Sequence, residues 1–93
     1  MIQNFIEVYK DKKLMDLIEK SHALEAEEIE FLLSDITTNE KGRTRNEVSK
    51  EKIALLEDIN NYFKSHYPNN KVADNYIATN QFIINRLKED IIN

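Results

Sequence analysis

Apolar residues recur along the chain at the three- and four-residue spacing of a helix, in four successive stretches. Ile2, Phe5, Ile6 and Tyr9 form the first row, and Leu14, Leu17 and Ile18 form a second that is out of phase with it. Continuing from Ile2, Ile6 and Tyr9 by threes and fours lands on Lys13, inside the charged run Lys10-Asp11-Lys12-Lys13. The pattern predicts either one helix over about 2–20 that changes face, or a break near Asp11, with Asp11 capping a second short helix.

Ser21 is placed to cap the next helix, whose early turns hold Glu25, Glu27 and Glu28, where a helix N-terminus favours negative charge. Its expected core face is Ile29, Leu32, Leu33 and Ile36, with Ala26 one turn upstream, and it should end near Thr37 or Thr38. Residues 37–46 carry the only glycine, three cations and no large apolar side chain, so they form the main loop, with Gly42 free to take positive φ at the reversal.

A third helix, capped by Asn46 or Ser49, follows from the stripe Ile53, Leu56, Ile59 and Phe63, flanked by Leu55 and Tyr62. The Tyr67-Pro68 pair ends it, because the residue before proline is pushed away from helical dihedrals. The last helix should run from about Lys71 to Ile92. Val72, Tyr76, Asn80, Ile83, Leu87 and Ile91 share one face, with Ile77 and Ile84 beside them.

No stretch alternates with period two and no hairpin signal occurs, so no strand is expected. Four amphipathic stripes on short or medium loops define an all-α fold, a small antiparallel helical bundle of four helices in a single domain spanning 1–93. A three-helix version results if the N-terminal segment is mobile or docks on a partner.

Composition narrows the chemistry. The absence of cysteine removes disulfides, thiolate metal sites and a cysteine nucleophile. A net charge of −4 and a pI near 5.2 argue against a surface built wholly for nucleic acid or an anionic membrane. The longest apolar runs, Phe31-Leu32-Leu33 and Phe82-Ile83-Ile84, fall far short of the ~20 residues that span a bilayer. No secretory signal opens the chain, so the cytosol is the expected location.

Candidate acid–base groups are His22 and His66. Glu19 and His22 form one Glu-x-x-His pair, but a di-iron bundle needs two, and the residue three before His66 is Phe63. His22 therefore reads as an exposed cap, and His66 as a polar ring serving the carbonyls at a helix end. Glu25, Glu27, Glu28 and Glu30 spread around a helix and read as a solvated face. One glycine cannot build a phosphate loop, and no nucleophile elbow occurs. No catalytic residue, metal ligand set or cofactor is expected, and of the inward-facing positions only Asn80 is polar.

Charge is distributed unevenly. Residues 19–40 hold seven acids and one lysine, whereas residues 41–52 hold five cations and two acids. Lys41, Arg43 and Arg45, followed by Lys50 and Lys52, form either a docking loop for an acidic surface or a solvated loop that partly neutralises the acidic helix. Tyr62 and Tyr67, if exposed beside Arg43 and Arg45, would add the aromatic component of a protein-binding hot spot. The expectation is a non-enzymatic, cytosolic module that binds a partner protein stoichiometrically through Lys41, Arg43, Arg45, Lys50, Tyr62 and Tyr67. In size and helical pattern the chain is similar to bacteriocin immunity proteins, antitoxins and phage or plasmid inhibitors. The alternative is a nucleic-acid-associated regulator using the basic 41–52 segment. A homodimer is a further expectation, with the stripe on the last helix as its interface.

Overall fold

The computed structural model describes residues 2–91. It contains four helices, α1 (Ile2–Tyr9), α2 (Lys12–Leu33), α3 (Arg45–His66) and α4 (Lys71–Asp90), and no strands among the described residues. The predicted all-α bundle is the fold. No helix among the described residues is long and apolar enough to cross a membrane.

The chain breaks at Asp11, which takes an extended conformation and accepts the Leu14 amide on Oδ1 at 3.0 Å, capping α2. The helix that follows is long rather than short, and Ser21 does not start a new one. Its hydroxyl instead donates to the Ile18 carbonyl at 2.6 Å, which satisfies a small polar group in mid-helix. Leu14, Ser21 and Leu24 are buried on one continuous stripe. Ser34 caps the helix, short of the expected Thr37 or Thr38.

Thr44 caps α3 by accepting the Glu47 amide at 3.2 Å, in place of Asn46 or Ser49, and Ser49 is buried. The Thr-x-x-Glu spacing of Thr44 and Glu47 is the capping-box signal for that start. Tyr67 ends α3 before Pro68, and Asn70 caps α4 through the Ala73 amide at 3.0 Å. The α4 helix ends at Asp90 with Ile91 as its cap, and Ile92 lies outside the described residues.

The α3 helix is the centre of the molecule. Both α2 and α4 pack against it, while α2 and α4 make no close backbone approach to each other among the described residues. The short α1 bridges the ends of α2 and α4. The body measures 44 × 23 × 19 Å, as expected for helices of about 33 Å lying side by side.

Ile53, Leu56, Ile59 and Phe63 line the core as predicted, together with Val8, Leu14, Ala73, Ile84 and Leu87. The fully buried Phe63 stacks on Tyr76 with ring centroids 5.3 Å apart. On α4 the buried residues are Ala73, Asn80, Ile84 and Leu87, so its stripe faces α3 and is not a free interface.

The α2 stripe departs most from expectation. Ile29, Leu32, Leu33 and Ile36, expected in the core, are 48%, 61%, 80% and 39% exposed. Once the buried stripe runs through Leu14, Ser21 and Leu24, helical rotation places Ile29 and Leu33 about 140° and 180° away from Leu24. Leu33 therefore points away from that face, and Ile29 lies at its edge, four residues on from Glu25.

Candidate functional site: the loop end of the bundle

The 34–44 segment is a tight hairpin rather than an open loop. Thr38 and Thr44 form an isolated antiparallel bridge, and the Gly42 amide donates to the Asn39 carbonyl at 2.9 Å across a turn in which Gly42 has φ of +75°. Asn39, only 6% exposed, organises the turn from inside. Its Oδ1 accepts the amides of Lys41 and Arg43, each at 3.0 Å, and its Nδ2 donates to Glu27 Oε1 at 3.0 Å. The hairpin is thereby bolted to α2.

Arg43 completes the joint. Its Nε lies 3.2 Å from Glu27 Oε1, and its terminal nitrogen pairs with Glu51 on α3. The hydrogen bond the guanidinium donates to Glu51 is the main reason its pKa is raised, with the charge of Glu27 adding to it. Lys52, buried on α3, reaches Glu28 at 3.3 Å and Glu25 at 3.9 Å. The acids of α2 are therefore not simply a solvated face: Glu27 is buried and joined to the hairpin, and Glu28 is joined to α3. Of the two readings of the basic segment, neutralisation of the acidic helix describes Arg43 and Lys52.

The remaining predicted cations differ. Lys41 at the hairpin turn, Arg45 at the start of α3 and Lys50 one turn further on are exposed and form no ion pair among the described residues. Lys41 overlooks a cleft of about 450 Å3 between α2 and α3 that also involves Lys20, Glu27, Arg43, Glu51 and Asp58.

Tyr62 and Tyr67 do not stand beside Arg43 and Arg45. Seventeen residues of α3 separate Tyr62 from Arg45, about 26 Å along the helix, and Arg43 lies just before that start. Both hydroxyls donate to Asp11 Oδ2, each at 2.7 Å, at the opposite end of the bundle. Asp11 thus caps α2 with one oxygen and ties α3 down with the other. Partial burial pushes its carboxyl upward, but the bonds from Tyr62, the Leu14 amide and Tyr67 outweigh that and hold it below the usual carboxylate value. Burial and the bond to Asp11 push the Tyr67 hydroxyl up to about 12, and for Tyr62 the bond to Asp11 leads the upward shift. Asn70 adds to the same joint, donating to the Asn4 carbonyl at 2.9 Å. These aromatics are structural, and the expected hot spot is not assembled.

The histidines also fall into place. His66 Nδ1 bonds the Tyr62 carbonyl at 3.1 Å while its ring stacks on Tyr62, as expected of a ring near a helix C-terminus. His22 lies in the middle of α2 and caps nothing. Among the described residues no group of three or more potential ligands could hold a metal.

The feature of this end that the sequence reading did not place on the surface is the apolar row. Glu27 and Glu30 carry the hairpin, with Glu30 Oε2 accepting the Glu40 amide at 3.3 Å. Ile29 and Leu32, two residues after each, stand about 200° around the helix from them. Ile29 and Leu32 therefore lie off the flank that the hairpin grips, while Leu33, three residues after Glu30, borders it. A smaller apolar edge, with Ile2, Phe5 and Tyr9 exposed at 78%, 54% and 42%, lies at the far end on α1.

No known protein family, no curated protein and no solved structure matches the chain.

Proposed function

We propose that this chain is a binding module that works by stoichiometric association with another polypeptide and turns over no substrate. The reading rests on one observation: Ile29, Leu32, Leu33 and Ile36 are solvent-exposed at the end of the bundle where Asn39 and Arg43 tie the hairpin to α2. Exposed apolar patches of this kind on a small chain mark interaction surfaces, because leaving them in water costs free energy that a partner recovers. The hydrogen bonds of Asn39 already hold the neighbouring hairpin in one conformation, which favours binding because less of it has to be ordered on contact. Arg45 and Lys41, which form no ion pair among the described residues, supply cations at the same end. The mode of action is that of small stoichiometric binders such as immunity proteins, antitoxins and phage or plasmid inhibitors.

The test compares a tagged native chain with Leu32→Glu/Leu33→Glu in co-purification from lysate. Both substitutions are at exposed positions, so helix content by circular dichroism should be unchanged while bound polypeptides are lost. The same polypeptides on both baits would overturn the reading. A nucleic-acid role has less to draw on once Arg43 and Lys52 are engaged. Three phosphate contacts from Lys41, Arg45 and Lys50 would give a log–log salt slope of roughly −2.7, and retention on duplex DNA with that slope would replace the protein-binding reading.

A further inference from the structure

We infer that the polypeptide covering the α2 row is a second copy of this chain, docked about a two-fold axis with the two α2 helices antiparallel. The inference rests on the reading above, that the row is a docking surface, and names its occupant.

Area is the first argument. The exposed parts of Ile29, Leu32 and Leu33 on α2 and of Ile36, two residues beyond its Ser34 cap, amount to roughly 400 Å2 of apolar surface, a patch of the size that is often functional. A standard interface buries about 800 Å2 per partner, of which about 57% is apolar, or roughly 450 Å2. The row alone nearly supplies that share, and the same row is present on the second copy.

Charge is the second argument. Lys52 on α3 lies level with Glu25 and Glu28 on α2, as their ion pairs show. Arg45 is seven residues back along α3, on the same helix face and about 10 Å nearer the end where α2 finishes. Glu25 shares the flank of Ile29, has a side chain 48% exposed, and touches Lys52 only at 3.9 Å. With a two-fold axis near the middle of the row, Glu25 of one copy faces the end of α2 in the other, where Arg45 of that copy is exposed without a partner. The symmetry repeats the pair, so one row and one acid–base couple serve both halves of an isologous interface.

Sedimentation velocity on the native chain at 1–100 µM, with and without substitutions, tests this. A concentration-dependent dimer is expected, and Leu32→Glu/Leu33→Glu should abolish it at unchanged helicity. Glu25→Arg and Arg45→Glu should each weaken dimerisation at least tenfold, and the two together should restore most of it. A dimer that survives Leu32→Glu/Leu33→Glu, or a charge swap that fails to restore association, overturns the inference. A native chain that stays monomeric at 100 µM overturns it as well. In that last case, row-dependent co-purification of a different polypeptide leaves the binding-module reading standing, and row-independent co-purification removes both.

Discussion

The side-chain amide of Asn80 donates to Asn60 Oδ1 at 3.1 Å inside the α3–α4 interface, and Asn60 in turn donates to the Ile77 carbonyl at 3.4 Å. Both asparagines are nearly fully buried, at 7% and 3% exposure. A polar pair in an otherwise apolar seam fixes the register of the two helices, since sliding either by one turn leaves both amides unpaired. Asn80→Leu should cost about 1–3 kcal/mol, because Asn60 keeps its desolvation penalty and loses its partner. Replacing both with leucine should cost much less than the sum of the single changes. Urea denaturation of the four chains in a double-mutant cycle measures the coupling, and additive costs would refute the pair's role.

Asp11 holds three residues, Leu14, Tyr62 and Tyr67, through two oxygens. Loss of the α2 cap alone should cost about 1 kcal/mol, and Asp11→Ala also strands the Tyr62 and Tyr67 hydroxyls. The expected order of destabilisation is therefore Asp11→Ala above either Tyr62→Phe or Tyr67→Phe, read as urea midpoints.

The same residue sets an acid limb. Because its folded value lies below the ordinary 3.8, Asp11 stabilises the fold above that pH, and the contribution is lost as pH falls from about 3.8 through the lowered value. Thermal midpoints measured from pH 6 to pH 2 should fall less steeply for Asp11→Ala than for the native chain.

The alkaline limb belongs to the tyrosines. Tyr67, chiefly by burial, and Tyr76, by burial and its 2.7 Å bond to the Tyr9 hydroxyl, are pushed up to about 12. A raised folded value means the neutral ring is favoured in the native state. Stability should be intact below pH 10 and decline as pH rises through about 12. The rise in tyrosinate absorbance from Tyr67 and Tyr76 should coincide with loss of helical ellipticity.

The hairpin offers a clean backbone test. A Cβ built on Gly42 meets nothing within 4 Å, so Gly42→Ala should cost only the strain of its φ of +75°, about 1 kcal/mol. Asn39→Ala should cost more, about 2 kcal/mol, since two hairpin amides and buried Glu27 lose their partner together. Equal costs in chemical denaturation would show that Asn39 does not organise the turn.

Much of this was legible from residue order. Helical periodicity, the proline after Tyr67 and the glycine at 42 are local signals, set by backbone sterics and by the need to hide apolar side chains somewhere. They predict the all-α fold, the stop of α3, the Ile53, Leu56, Ile59 and Phe63 stripe and a reversal at Gly42, all of which the structure contains. Local rules also allowed a break at Asp11, without choosing it over a continuous helix.

Tertiary packing decided the rest, because a stripe predicts that a side chain seeks cover but not which neighbour provides it. Along α2, Leu14 and Leu24 were buried, and helical rotation left Ile29 and Leu33 in water. In the same way Arg43 and Lys52 became internal struts while Arg45 stayed free, since only the fold brings Glu27, Glu51 and Glu28 within reach of the first two. The candidate surface exists because three long helices lie with α3 between α2 and α4, a choice made among partners distant in the chain.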